Sequence, residues 1–112
     1  MFGKLKDMGN LVKKAQEMKS EMKKVQDSLK LEKIMGENSN KTVKVLLNGE
    51  LECLGIQLSP ELAALGSKGE KEKKKLEKEI QEAFNVTAKK AKTIASSKLS
   101  AISEGLDIPG LT

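Results

Sequence analysis

The chain has 112 residues, of which 38% are hydrophobic, 33% charged and 2% aromatic, and its formal net charge is +5. That length allows one domain with a modest core, and the apolar content is too high for a disordered tail. All 21 basic residues are Lys, and His, Arg, Trp and Tyr are absent, which removes the usual general bases and the bidentate arginine fork.

From Met8 the apolar residues fall at Met8, Leu11, Ala15, Met18, Met22, Val25 and Leu29. Steps of three and four residues predict one long amphipathic helix with a coiled-coil-like seam. Methionine at three of the seam positions suits a groove or a partner helix, because its side chain packs adaptably.

The helical period is lost after Leu29. Turn formers bound three runs that predict antiparallel strands over roughly 31–35, 42–47 and 51–58, and Asn48-Gly49 predicts a type I′ hairpin turn between the last two. Val43, Val45 and Leu47 share one face by alternation. The third run changes parity at Gly55, and a bulge there returns Leu51, Cys53, Leu54, Ile56 and Leu58 to one face.

Ser59-Pro60 predicts the cap and first residue of a short helix reaching about Leu65. Ser67 and Glu70 stand at capping-box spacing and open a second long helix. Its stripe is Leu76, Ile80, Phe84, Ala88, Ala91, Ala95, Leu99 and Ile102, with Gly105 as C-cap and Pro109 confirming the stop. At about 1.5 Å per residue this helix extends roughly 50 to 55 Å, more than so small a sheet can cover.

The expected fold class is therefore α+β, with a long N-terminal helix, a three-stranded antiparallel sheet and a long C-terminal helix in one domain over 1–112. Two helix stripes and a sheet face exceed what one copy can bury, which predicts a homodimer. Met18 and Met22 on the seam, with Val43, Val45, Leu47 and Ile56 on the sheet, are the expected dimer contacts.

Catalysis finds little support. No phosphate-binding or dinucleotide-binding glycine pattern occurs, and the Ser, Thr and Cys residues lack an activating context. Acidic residues interleave with Lys as ion pairs do, not as metal ligands. No enzyme activity, metal, cofactor or small-molecule substrate is expected. The single Cys53 reads as a small buried hydrophobe in a reducing, cytoplasmic setting. The first residues lack the apolar core of a signal peptide, and no stretch approaches a membrane span.

Charge is distributed unevenly. Residues 1–35 carry nine Lys and five acids, residues 36–66 two and four, and residues 67–112 ten and seven, so the positive charge belongs to the helices. Between Glu82 and Glu104 there is no acid, while Lys89, Lys90, Lys92 and Lys98 fall there. Lys89 shares a helix face with Thr93, Ser96, Ser100 and Ser103, opposite the alanine stripe, where small hydroxyls permit close approach to phosphate. The dense KEKKKLEKE block alternates sign and reads as an exposed helix face.

NLVKKAQEM, VKVLLNG, IQLSPEL, EAFNVTAKKA and GLDIPGL, in this order and at matching spacing from Met1 to Leu111, resemble the YbaB/EbfC family of bacterial nucleoid-associated proteins. The resemblance implies a small sheet dimerised so that long helices project like the arms of tweezers, and a nucleoid role in binding duplex DNA. Family members commonly carry Arg where this chain has Lys89 and Lys90, which points away from base-specific readout. Their acidic segment before the long helix is replaced here by GSKGEKEKKK.

Stacking of single-stranded bases relies on aromatic rings, and only Phe2 is spare, so duplex DNA is favoured. Lys is a flexible point charge suited to phosphate, which predicts low sequence specificity. Lys4, Lys6, Lys13 and Lys14 on the first helix and Lys89, Lys90 and Lys92 on the second are the expected DNA contacts, with an effect on gene expression as a consequence. The alternative, from another class, is a helix–hairpin–helix chaperone or interaction module in the manner of prefoldin subunits, supported by the methionine seam.

Overall fold

The computed structural model describes the backbone of residues 2–106 and the side chains of residues 7–102. In chain order it contains α1 (Phe2–Leu31), β1 (Ile34–Glu37), β2 (Val43–Leu47), β3 (Cys53–Leu58), α2 (Pro60–Leu65) and α3 (Glu70–Leu106). The strands form one antiparallel sheet in the order β1-β2-β3. The expected helix–sheet–helix layout is therefore present. Its first strand starts three residues later than the sequence predicts, because α1 continues to Leu31.

The two hairpin loops are built alike. Each begins with a buried Asn whose carbonyl accepts from the residue three positions on, Lys41 N at 3.0 Å for Asn38 and Leu51 N at 3.1 Å for Asn48. That fourth residue carries the positive φ, 56° at Lys41 and 67° at Leu51. The Asn Oδ1 then accepts from returning backbone amides, Thr42 and Val43 in the first loop and Glu50 and Glu52 in the second. Asn48-Gly49 is thus not the type I′ turn expected, since neither residue has a positive φ. The side-chain bonds of Asn48 define a longer loop, which displaces the two-residue turn.

Gly49 is needed for space. A Cβ there would lie 2.7 Å from the Leu29 carbonyl oxygen, and the Gly49 amide donates to that same oxygen at 2.7 Å. The β2–β3 loop therefore satisfies one of the orphan carbonyls at the end of α1.

Between β2 and β3 the register slips, pairing Leu46 with Gly55 and Leu47 with Cys53, so the expected bulge falls at Leu54, next to Gly55. Directly paired residues of an antiparallel ladder share a face. Cys53, Ile56 and Leu58 thus lie on the same side as Leu47, Val45 and Val43.

That side is covered by α3. Val43, Val45 and Leu47 are fully buried with Leu62 and Ala83, and Leu65, Leu76, Ile80 and Ala88 pack around them. Burial of each such aliphatic side chain is worth about 1.5–3 kcal/mol. Their assignment to the dimer contacts is corrected accordingly. These three side chains are consumed by the protomer's own helix and present nothing to a second copy.

The helix comes closest over β1, where a Cβ on Gly36 would lie 3.1 Å from the Thr87 Cα and closer still to its Oγ1. Thr87 is buried on the core face, and its hydroxyl donates to the Ala83 carbonyl at 2.7 Å, so no polar atom is stranded. The buried stripe of α3 accordingly includes Ala83, Thr87 and Ala91. Phe84 and Leu99, expected on that stripe, stay partly exposed on its flank, at 38% and 45%. Cys53 is exposed, not buried, because β3 lies at the sheet edge beyond the helix.

Helix boundaries follow local caps. Ser59 Oγ accepts from Leu62 N at 3.1 Å with Pro60 opening α2, as its sequence predicts. The Ser67–Glu70 box does not form. Ser67 Oγ donates instead to the Ala64 carbonyl at 3.3 Å. Gly69, with φ of 145°, turns the chain into α3 and accepts from Lys73 N at 3.0 Å. Gly105 does not end α3, which runs through it to Leu106, and Pro109 lies outside the described residues.

Beyond the sheet the two long helices run antiparallel. Lys98 meets Ser28 and Glu32, and further along Ala101 and Ile102 share a groove with Val25, Glu21 and Glu17. The protomer is accordingly elongated, with extents of 78 × 22 × 18 Å.

Candidate nucleic-acid interface

The acid-free half of α3 presents a polar groove. Lys89, Lys92, Thr93, Ser96, Ser97, Ser100 and Ala101 line it, all at least partly exposed. With about 100° of rotation per residue, Lys89, Thr93, Ser96 and Ser100 fall opposite the buried Thr87 and Ala91. Two ammonium groups among four hydroxyls, with no carboxylate in the lining, form a site that can take phosphate oxygens. Ser97 was absent from the expected face. The run Ser96-Ser97 was its only signal.

Lys90 points elsewhere. It lies on the flank of α3 toward β1, and its Nζ donates to the Met35 carbonyl at 3.4 Å. Lys98 is also engaged, forming an ion pair with Glu32 at 2.8 Å and a hydrogen bond to Ser28 Oγ. It fixes α3 against the end of α1, and that long-range contact has no local signal in the sequence.

On α1, Lys13 and Lys14 are exposed on the half that extends past α3. From the Lys98–Ser28 crossing, residue counts place them about 30 Å from Lys92 along the helix axes at 1.5 Å per residue. The structure thus brings Lys89 and Lys92 together and leaves Lys13 and Lys14 as a second group. Lys4 and Lys6 lie on α1, with side chains outside the described residues.

Acids are kept away from the groove by other duties. Glu79 is buried and accepts from Asn40 Nδ2 at 2.5 Å, and Glu82 accepts from Ser39 N at 2.8 Å, so both hold the β1–β2 loop on α3. The Ser39 amide, and secondarily its hydroxyl, hold the Glu82 carboxyl below its ordinary range. Lys24 pairs with Glu21 at 3.3 Å, as its neighbours predict, and the five lysines of the KEKKKLEKE segment are exposed.

The model of the YbaB/EbfC DNA-binding family matches residues 4–106. The chain belongs to this family. Membership makes it a DNA-binding, nucleoid-associated protein, and the family is a DNA-binding family and not an enzyme family. Among solved structures, the YbaB/EbfC chain is similar to the uncharacterized protein HP0035 from Helicobacter pylori. The TM-score is 0.54 at 18% identity, covering 88% of this chain and 83% of that one, a likeness of fold. Among the described residues no helix is long and apolar enough to cross a membrane, and no three His, Cys, Asp or Glu side chains gather as a metal site.

Proposed function

We propose that this protein binds duplex DNA as a homodimer, through Lys-to-phosphate contacts with low sequence specificity. The observation that carries the reading is the acid-free groove of Lys89, Lys92, Thr93, Ser96, Ser97 and Ser100. Lys13 and Lys14 add a second cationic group at about 30 Å, close to one turn of duplex at about 34–36 Å.

The β3 edge supports the dimer. Its sequence, CLGIQL, has neither charge nor proline to blunt pairing with another strand. Leu54, Ile56 and Leu58 are 49%, 49% and 39% exposed on it. Lys90 and Val86 mark the β1 side of α3, so Phe84, Ala88, Ala95 and Leu99 line the side toward β3. Pairing β3 with its copy extends the sheet to six strands and covers both apolar sets. Of the contacts expected on the sheet, Ile56 stays in this interface. Met18, half-buried, and Met22, at 38% exposure, remain open to a partner helix.

The bare seam of Met8, Leu11 and Val12 favours one competing reading, a prefoldin-like module whose helices hold protein clients. Sedimentation and fluorescence anisotropy with a mixed-sequence duplex separate the two. The DNA reading expects dimer mass for the wild type, monomer for Ile56→Lys, and duplex affinity that falls when Lys89 and Lys92 become Gln. Suppression of client aggregation with no binding of duplex would overturn it.

A further inference from the structure

The second sheet edge is a different kind of surface. β1 pairs with β2 through Gly36 and Ile34, so by the alternation of an antiparallel ladder the Met35 and Glu37 amides and carbonyls face outward. The Lys90 ammonium caps the Met35 carbonyl from the side of α3. Beside this edge Ile34, Val86 and Ile94 form an apolar groove whose rim is Lys89, Lys90 and Thr93, with no acid in the lining. Val86 is 37% exposed there.

We infer that β1 and this groove dock an extended segment of a partner protein, added as a fourth strand, with alternate aliphatic side chains and acidic neighbours. Backbone pairing supplies affinity and alternate side chains supply selection, as in other strand-addition complexes. A residue opposite Met35 takes its outward amide and carbonyl, displacing Lys90. The residues on either side of it then point toward α3, onto Ile34, Val86 and Ile94. Lys90, released from the carbonyl, and Lys89 meet the carboxylates of the incoming strand. Charge complementarity thus specifies an acidic segment, and the exposed backbone specifies an extended one. The surface lies on the edge opposite β3, so the inference stands whether or not β3 carries the dimer.

The test is an NMR titration of the full-length protein with a short acetylated and amidated peptide alternating Glu and Ile. A same-composition peptide with its isoleucines contiguous and a mixed-sequence duplex serve as comparison probes. The expected result is shifts confined to Ile34–Glu37, Val86 and Ile94, with hydrogen exchange of the Met35 amide slowed about tenfold or more. The contiguous peptide and Val86→Gln should each bind about tenfold more weakly, while Val86→Gln keeps the wild-type mass and duplex affinity. Absence of peptide binding, equal binding of both peptides, unchanged Met35 exchange, or the same shifts produced by duplex DNA would overturn it.

Discussion

Gly49, in the loop between β2 and β3, donates its amide to the Leu29 carbonyl at 2.7 Å and so joins the sheet to the end of α1. A methyl group at Gly49 would meet the Leu29 backbone at 2.7 Å and its side chain at 2.7–2.8 Å. Leu29 is itself buried, so neither partner has room to move. Gly49→Ala should cost about 1–3 kcal/mol in urea unfolding, the range for overpacking a filled site. It should also speed amide exchange in the last turn of α1.

Gly36 and Thr87 make the analogous contact between β1 and α3. Gly36→Ala should destabilise by about 1–3 kcal/mol, because the added methyl lands on the Thr87 Oγ1 and backbone. Thr87→Ala removes that oxygen, so the double variant should recover part of the loss. Additive losses in the double-mutant cycle would contradict this packing.

How much of this was legible in the sequence depends on the range of the interaction. Ser59-Pro60 and the parity change near Gly55 are local, and the structure has both the α2 cap and the bulge. Alternation likewise showed that Val43, Val45 and Leu47 share a face. It carried no information on what covers that face, and a second copy was expected where α3 packs. Asn48-Gly49 was legible as a turn but not as this turn, because the Asn48 side chain and the approach of Leu29 set its shape. In the candidate site the hydroxyl and lysine face of α3 followed from helical spacing. The duties of Lys90 and Lys98 did not, since Met35 and Glu32 lie 55 and 66 positions away in the chain.

Glu82 makes the loop contact acid-sensitive. Its carboxyl is held below the ordinary value of 4.5 chiefly by the Ser39 amide. A group whose folded-state pKa is depressed stabilises the fold above its ordinary value and loses that contribution as pH falls through the folded value. The Ser39 amide resonance should therefore titrate below pH 4.5, and Glu82→Gln should abolish that titration. A Ser39 titration that persists in Glu82→Gln would refute the assignment.

Lys98 ties the two helices through Glu32 at 2.8 Å and through Ser28. Both charged side chains are partly exposed, 28% and 37%, so Lys98→Met should cost no more than about 1 kcal/mol. The larger effect should be geometric. Scattering curves should show a wider distribution of α1 positions, and high salt should produce part of the same change in the wild type. Identical curves for variant and wild type would remove Lys98 from any role in holding the helices.

The most direct test of the DNA-binding account is the salt dependence of affinity for a mixed-sequence duplex. Neutralising about six to ten phosphates predicts a slope of roughly −5 to −9 in log affinity against log salt, shallower by about 0.9 for each phosphate that goes unneutralised. Changing Lys89 and Lys92 to Gln should make the slope less negative while the dimer mass stays constant. A slope near zero, or one that those two substitutions leave unchanged, would contradict the claim that lysines of α3 hold the DNA backbone.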